Sequence, residues 1–211
     1  MSKVIRQKSK ESQSQIQFDD YSKEPVKLGP YTSHIWKNDP KHLGFLLARY
    51  KFCAKMLHGK KDVLEIGCGD AFGMPLVAQT VGSVHGVDWE PLLLKDNAER
   101  LKHFKNCSFS ELDITRKSTR NKYDAAFCLD VIEHIPLKHE HSFMANICKS
   151  IKSDAICIIG TPNVTASKYA TKGSKEGHIN LKSHISLRGL LGRYFANVFL
   201  FSMNDEIVHT G

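Results

Sequence analysis

The stretch Asp62-Val63-Leu64-Glu65-Ile66-Gly67-Cys68-Gly69-Asp70 decides the fold predicted for this chain. Its first half contains Val63, Leu64 and Ile66 with Glu65 between them, a short and mostly apolar segment that predicts a strand. Its second half places Gly67 and Gly69 on either side of Cys68, and glycine lets the backbone approach a ligand closely. The helix predicted next offers free N–H groups at its start. A strand, a glycine-rich turn and a helix in this order predict a ligand site.

Strands and helices alternate on both sides of this stretch. Upstream, apolar residues from Leu43 to Leu57 recur at helical spacing, which predicts a helix. Downstream, the pattern predicts strands at 84–87, 108–112, 124–129, 155–159 and 198–202, and helices at 75–81, 91–104, 138–151 and 186–195. Such alternation indicates parallel βαβ units with right-handed crossovers. We therefore expect a Rossmann-like α/β fold, with a doubly wound, mostly parallel sheet in three α/β/α layers and a helical segment before it.

Residues 1–37 are predicted to form a flexible arm ahead of a single domain at 38–211. Residues 1–27 are rich in Lys, Ser and Gln and show no periodicity, which is typical of a flexible segment. Tyr31, His34 and Trp36 follow in a stretch that we expect to be irregular. Aromatic residues in such a stretch need a surface to pack on. Our hypothesis is that they close over the ligand site as a lid.

Composition places the chain among soluble globular proteins. Of its 211 residues 41% are hydrophobic and 25% are charged, and no apolar run approaches the length of a membrane span. The six cysteines include no C-x-x-C pair, so we expect reduced core thiols in a cytoplasmic protein. The net charge of +8 favours anionic partners or reflects only a basic surface. Nucleic acid is the less favoured partner because no recognised binding module appears. The oligomeric state stays open.

Acidic residues follow three further predicted strands: Asp88, Asp113 and Asp130. Ligands of open α/β sheets bind beyond the carboxyl ends of the strands, so one ligand could touch all three. Asp88 stands 21 residues after Gly67, where an acid can bind a ribose diol, and the alternative is a turn cap. Asp113 would accept from an adenine amino group or cap its strand. Trp89 would cover an adenine face or pack on the domain.

The glycine spacing discriminates between nucleotide cofactors. The nicotinamide fingerprint G-x-G-x-x-[GA] requires Gly or Ala at its sixth position. With Gly67 as its first position, the sixth position in this chain is Phe72. A phosphate loop of the form G-x-x-x-x-G-K-[ST] does not occur in the sequence. Neither a dinucleotide nor a nucleoside triphosphate is therefore the favoured ligand.

Taken in order, these motifs resemble those of class I S-adenosylmethionine-dependent methyltransferases. The resemblance covers residues 40–205. Its four main motifs lie at 62–70, 86–88, 112–114 and 123–135. Two later segments, Gly160-Thr161-Pro162-Asn163 and Gly177-His178-Ile179-Asn180, resemble the small-molecule branch, which includes ubiquinone-biosynthesis-type enzymes.

The resemblance implies S-adenosylmethionine as the cofactor, S-adenosylhomocysteine as the product, and no metal. It implies that the glycine-rich motif holds the methionine end, that Asp88 binds the ribose, that the third motif binds adenine, and that backbone after strand four meets the amino group. With Trp89 added from its position, the candidate cofactor-binding residues are Glu65, Gly67, Cys68, Gly69, Asp88, Trp89, Asp113, Ile114, Leu129 and Asp130. Ala71 stands where the family often has Gly.

The family's sheet order is 3-2-1-4-5-7-6, with an antiparallel last strand. Only Glu206–Gly211 remain to form strand seven. We therefore expect that strand to be very short or to be cut off in this sequence.

The predicted reaction is methyl transfer to an oxygen or nitrogen of a small molecule. Such a nucleophile needs a base, and His178 in the long connection 161–183 is the preferred candidate, with His134 second and His184 also considered. Lysines of that connection would attract an anionic group on the substrate or are simply solvated. His139 and His141 do not share a helical face, which argues against a metal site there. RNA or protein methylation, and a non-catalytic cofactor-binding module, stay open as alternatives.

Overall fold

Five parallel strands form the centre of the structure, a computed structural model that describes residues 8–203. The sheet order is β3-β2-β1-β4-β5, which confirms the predicted fold class and matches the first five positions of the expected order. Every adjacent pair is parallel. The strands are β1 (Asp62–Ile66), β2 (Ser83–Asp88), β3 (Cys107–Glu111), β4 (Tyr123–Leu129) and β5 (Ile151–Gly160).

Eight α-helices accompany the sheet in the described part of the chain. They are α1 (Gln15–Lys23), α2 (Pro30–Asn38), α3 (His42–Met56), α4 (Met74–Ala78), α5 (Pro91–Arg100), α6 (Leu137–Ser150), α7 (Lys172–Gly177) and α8 (His184–Leu191). Among residues 8–203, no helix combines the length and the apolar character that crossing a bilayer requires.

Helices cover both faces of the sheet because the central strands are apolar on both sides. Within β1, Val63 packs into the core layer formed with α3, α4 and α5, whereas Leu64 packs into the layer formed with α6 and α8. In β4, Phe127 and Cys128 divide between the same two layers. Successive side chains of a strand point to opposite faces, so a continuous apolar run fits only a strand covered on both sides.

The amino-terminal segment contains helices that its composition did not predict. Residues 15–23 form α1, and Tyr31, His34 and Trp36 lie on α2 rather than in an irregular stretch. Proline at the first position of α2 explains this, because its fixed φ suits a helix start and its missing N–H is not needed there. Residues 1–7 of the predicted arm lie outside the described residues.

The strand predicted at 198–202 does not form. A strand must pair its backbone groups, and in the expected sheet order this one would pair with strand seven. Residues 206–211, which would supply strand seven, lie outside the described residues. The preceding helix, predicted at 186–195, is α8 and runs from His184 to Leu191. Within the long connection 161–183, the structure has a 3₁₀ segment at Val164–Tyr169 and the short helix α7.

Candidate active site

The loop after β1 turns through two glycines in the left-handed region. Gly67 has φ +67° and Gly69 has φ +51°, a conformation that costs other L-residues about 1–2 kcal/mol. The amides of Gly67 and Cys68 both donate to the carbonyl of Val87, which holds the loop against β2. A Cβ atom at Gly67 would lie 2.4 Å from Cγ2 of Val131. Both the backbone conformation and the close packing therefore require glycine at 67. Ala71 in the same loop also has a positive φ, of 50°.

Asp88 joins the loop to the end of β2. Its Oδ2 accepts from the amide of Gly69 at 2.9 Å, and its Oδ1 accepts from the amide of Glu90 at 3.0 Å. The second contact is the turn cap that the sequence left open as an alternative. A carboxylate oxygen has two lone pairs, so both oxygens retain capacity to accept from a ligand diol. The carboxylate is thereby held in place at the carboxyl edge of the sheet.

Glu65 is buried at the end of β1 with one oxygen left unpaired. Its Oε1 accepts from the hydroxyl of Tyr50 at 2.6 Å, while its Oε2 is buried without a hydrogen-bond partner in the described part of the chain. Burial raises the pKa of the Glu65 carboxyl to about 8; the hydrogen bond from Tyr50 opposes this rise, and the charges of Asp88 and Asp70 add to it. A buried carboxylate oxygen without a donor is costly, so this atom favours a cationic or N–H ligand.

Asp70 connects the glycine loop to α2. Its Oδ2 accepts from both the amide and the hydroxyl of Thr32, each at 2.7 Å. Thr32 is the third residue of α2, so the carboxylate takes the position of an N-cap supplied from another part of the chain. The ring of Tyr31 lies against Gly69, 3.5 Å from where a Cβ atom would stand. The amino-terminal helix is therefore anchored over the loop.

The residues predicted to meet adenine have different surroundings. Oδ1 of Asp113 accepts from the amide and the hydroxyl of Thr115, at 2.9 and 2.6 Å, and Oδ2 lies 3.1 Å from Nε of Arg116. These contacts are those of a strand-end cap. Ile114 is buried in the core layer with α6, whereas the Trp89 side chain beside Asp88 is 76% exposed. Trp89 is thus free to cover a planar ligand, while Asp113 is engaged locally.

After β4 the chain turns at Asp130, which has φ +55°. Its carboxylate forms a two-pronged ion pair with Arg49 of α3, at 2.9 and 2.8 Å. The backbone amide of Asp130 donates to the carbonyl of Gly160 in β5, so this N–H is already hydrogen-bonded. Burial raises the pKa of Asp130, and the charge of Arg49 opposes that rise. The preceding residue, Leu129, is half-buried against the layer with α3.

His134 and His178, the two predicted bases, lie side by side. Their ring centroids are 5.0 Å apart in an edge-to-face arrangement, and Nδ1 of His134 lies 2.9 Å from the carbonyl oxygen of Gly177. Burial lowers the pKa of His178, as does the charge of His134, while Asp130 opposes the change. His178 is therefore neutral near pH 7 and able to accept a proton. His184, the third candidate, is the first residue of α8.

Glu133 completes this group, although the sequence analysis did not single it out and predicted no metal. One ligand atom each from Glu133, His134 and His178 lies within 4.8 Å of the others. Oε2 of Glu133 accepts from the hydroxyl of Thr161 at 2.9 Å, and Oε1 is buried without a partner in the described part of the chain. Burial raises the pKa of Glu133 to about 7, and the charge of Asp130 adds to the rise.

Arg49 and Tyr50 were also missed, because they lie in a predicted helix that marks them only as helix residues. Thr32 was missed because it lies in a stretch expected to be irregular. Glu133 did carry a signal, since an acid directly before a histidine follows the end of β4. No feature of the sequence indicated that Thr32 would reach Asp70.

The sheet order and the loop after β1 define a Rossmann-like protein with its site at the carboxyl edge of β1, β2 and β4. The chain belongs to the methyltransferase domain family, whose sequence profile, described as "Methyltransferase domain", matches residues 57–196. This confirms the class indicated by the four motifs.

Individual proteins support the same class. A ubiquinone biosynthesis O-methyltransferase of Rickettsia akari (strain Hartford) is 32% identical over 117 residues, covering 53% of this chain and 44% of that protein. The protein of that name from Rickettsia typhi (strain ATCC VR-144 / Wilmington) is 28% identical over 164 residues, covering 70% and 64%. This chain thus spans less than two thirds of either relative.

A solved structure shows the same fold. The N-methyltransferase NodS from Bradyrhizobium japonicum WM9, in complex with S-adenosyl-L-homocysteine, has a TM-score of 0.61 at 15% sequence identity. The matched region covers 75% of this chain and 76% of NodS.

Proposed function

We propose that this chain transfers the methyl group of S-adenosylmethionine to an oxygen of a small molecule. The observation that carries the proposal is the buried, unpaired Oε2 of Glu65, next to a loop whose glycines adopt left-handed conformations. An ammonium group on the ligand would supply the missing donor. Oxygen is preferred over nitrogen because the curated relatives are named O-methyltransferases.

The residues present suit this cofactor. Glu65 and the loop Gly67–Gly69 would hold its methionine end, Asp88 would accept from its ribose hydroxyls, and Trp89 would cover adenine. The third motif, Asp113 and Ile114, would contribute through its backbone, since the Asp113 carboxylate is engaged with Thr115. Leu129 and Asp130 would line the approach to the methionine end.

When bound, S-adenosylmethionine supplies a methyl group already activated on sulfur. The protein's task is then to place the acceptor in line and to exclude water, and a misplacement of about 1 Å can cost roughly 10²-fold in rate. Tyr31 on α2, anchored through Thr32 and Asp70, would close the cofactor side. His134 and His178 would form the acceptor side, where a neutral imidazole accepts the proton of the acceptor hydroxyl.

Lysines of the connection 161–183 suit an anionic substrate group. Lys168 and Lys175 lie in the connection that carries His178. An acceptor with a carboxylate or phosphate would gain charge-assisted hydrogen bonds there. We propose a small-molecule acceptor of this kind and make no assignment of its skeleton.

Calorimetric titration with S-adenosylhomocysteine, with NAD as a control ligand, tests the proposal. Hydrogen bonds to a charged group contribute on the order of 1.5–3 kcal/mol, so Asp88→Ala should bind about 10- to 150-fold more weakly. Asp154→Ala, which removes an exposed acid in the first half of β5, is the matched control and should bind as wild type does. Wild-type protein that binds neither ligand, or NAD in preference, would refute the cofactor assignment. Transfer of labelled methyl to a panel of small hydroxyl compounds, with and without a carboxylate or phosphate group, then tests the acceptor class.

A further inference from the structure

We propose that Glu133, His134 and His178 bind a divalent transition-metal cation, such as Co²⁺, Mn²⁺ or Zn²⁺. One ligand atom of each side chain lies within 4.8 Å of the other two. Atoms bound to one such cation at about 2.0–2.2 Å lie up to about 4 Å apart. The three atoms would therefore have to move only slightly closer together to share a cation.

The carboxylate of Glu133 gives independent support for a cation. The residue is fully buried, Thr161 satisfies only Oε2, and Oε1 has no partner within residues 8–203. An ionised carboxylate is costly to bury unless it is paired or bound to a metal, so a cation beside the unpaired Oε1 would be bound favourably. The nearby cationic side chain of Arg49 is already paired with Asp130, whereas His134 and His178 offer further ligand atoms beside the carboxylate.

His134 is held in the form that a metal ligand requires. Its Nδ1 lies 2.9 Å from the carbonyl oxygen of Gly177. Because a carbonyl can only accept, Nδ1 carries the hydrogen, and in the neutral ring Nε2 keeps its lone pair. Metal-bound histidines usually donate their other N–H to a backbone carbonyl or a carboxylate, which fixes the ring orientation. The Gly177 carbonyl provides this contact.

The ligand set selects the kind of cation. Imidazole suits zinc and neighbouring transition metals, whereas Mg²⁺ and Ca²⁺ prefer oxygen ligands. Three protein ligands leave coordination positions open, as in catalytic rather than structural sites. A hydroxyl bound at an open position would have a lowered pKa. This lowering of the hydroxyl's pKa rests on the proposed function, and it would take the place of direct proton transfer from the acceptor to His178. The binding of the cation itself does not depend on the proposed function.

Titration of Co²⁺ into protein freed of metal by chelator tests the site. The readouts are the visible absorption of bound Co²⁺ and calorimetry, and we expect one tight equivalent that excess Mg²⁺ does not displace. Loss of outer contacts alone typically costs 10–100-fold in metal affinity, so Glu133→Gln and His178→Ala should each weaken binding by at least about tenfold. His58→Ala is the matched control, because this exposed histidine precedes β1 at the opposite edge of the sheet.

Binding that is absent in wild type, unchanged in both variants, or weakened equally by His58→Ala would overturn the proposal. Titration of the same samples with S-adenosylhomocysteine tests the proposed methyltransferase function separately from the metal site. A protein that binds S-adenosylhomocysteine but not Co²⁺ refutes the metal site alone. If Glu133→Gln does not fold, His178→Ala decides, because His178 is only partly buried in a loop.

Discussion

Thr32 donates two hydrogen bonds, from its amide and its hydroxyl, to the same Oδ2 atom of Asp70. Thr32 is almost completely buried although it belongs to the amino-terminal helix α2. Arg100 of α5 supports the arrangement by donating to the backbone carbonyl of Asp70 at 2.6 Å. The helix that presents Tyr31 is therefore fastened directly to the glycine-rich loop.

Release of α2 from the loop should weaken cofactor binding. Asp70→Ala removes the acceptor of two hydrogen bonds, each contributing on the order of 1.5–3 kcal/mol when one partner is charged. We expect at least about tenfold weaker binding of S-adenosylhomocysteine, measured by calorimetry, and a similar loss when residues 1–37 are deleted. Ser33→Ala is the control, since the Ser33 hydroxyl contacts only the Leu28 carbonyl on an exposed surface. Unchanged affinity in the deletion would refute the lid hypothesis.

Cofactor binding should release a proton from Glu65. With a folded-state pKa of about 8, this carboxyl is mostly protonated at pH 7, and an ammonium group beside Oε2 would lower its pKa. Calorimetric titrations with S-adenosylmethionine in phosphate and in Tris, two buffers of different ionisation enthalpy, should therefore give different heats. For Glu65→Gln, which has no such proton to release, the observed binding heats should be the same in both buffers. Equal heats for the wild type would show that Glu65 does not meet the ammonium group.

The same raised pKa predicts how stability depends on pH without ligand. Below the ordinary pKa of 4.5 both the folded and the unfolded states hold the Glu65 proton, so this group makes no pH-dependent contribution to the free energy of unfolding. As the pH rises from 4.5 to about 8 the unfolded state loses the proton first, and folding becomes less favourable. Urea denaturation should show wild type losing stability relative to Glu65→Gln over this range. A constant difference between the two proteins would contradict the buried protonated state.

Gly67 should tolerate no side chain, for two separable reasons. Gly67→Ala would cost about 1–2 kcal/mol from its left-handed backbone, and its Cβ would also overlap Val131. The double variant Gly67→Ala/Val131→Ala removes the overlap but not the backbone strain. In urea denaturation we expect the double variant to be more stable than Gly67→Ala alone, and both to bind S-adenosylhomocysteine poorly. A double variant no more stable than the single one would show that packing against Val131 is not limiting.

Local patterns predicted most of the sheet. The apolar runs of β1 and β4 are long enough to be recognised because both faces of these strands are buried, and the glycines at 67 and 69 mark the loop whose backbone no other residue adopts cheaply. The prediction of a strand at 198–202 was wrong. The residues there favour a strand, but a strand also needs a neighbouring strand to pair with, and local propensity gives no information about that partner.

By itself, the sequence determined the α/β class, the order of the five strands along the chain and the acids at the ends of β1, β2 and β4, because hydrophobic periodicity and glycine conformation are local properties. Only the tertiary structure decided which distant groups meet. It placed Thr32 on Asp70 and Arg49 on Asp130, and it brought His178 beside Glu133 and His134. Such contacts depend on how helices and loops pack across the sheet edge, and the energy that selects them comes from burial and charge in the assembled fold rather than from any single segment.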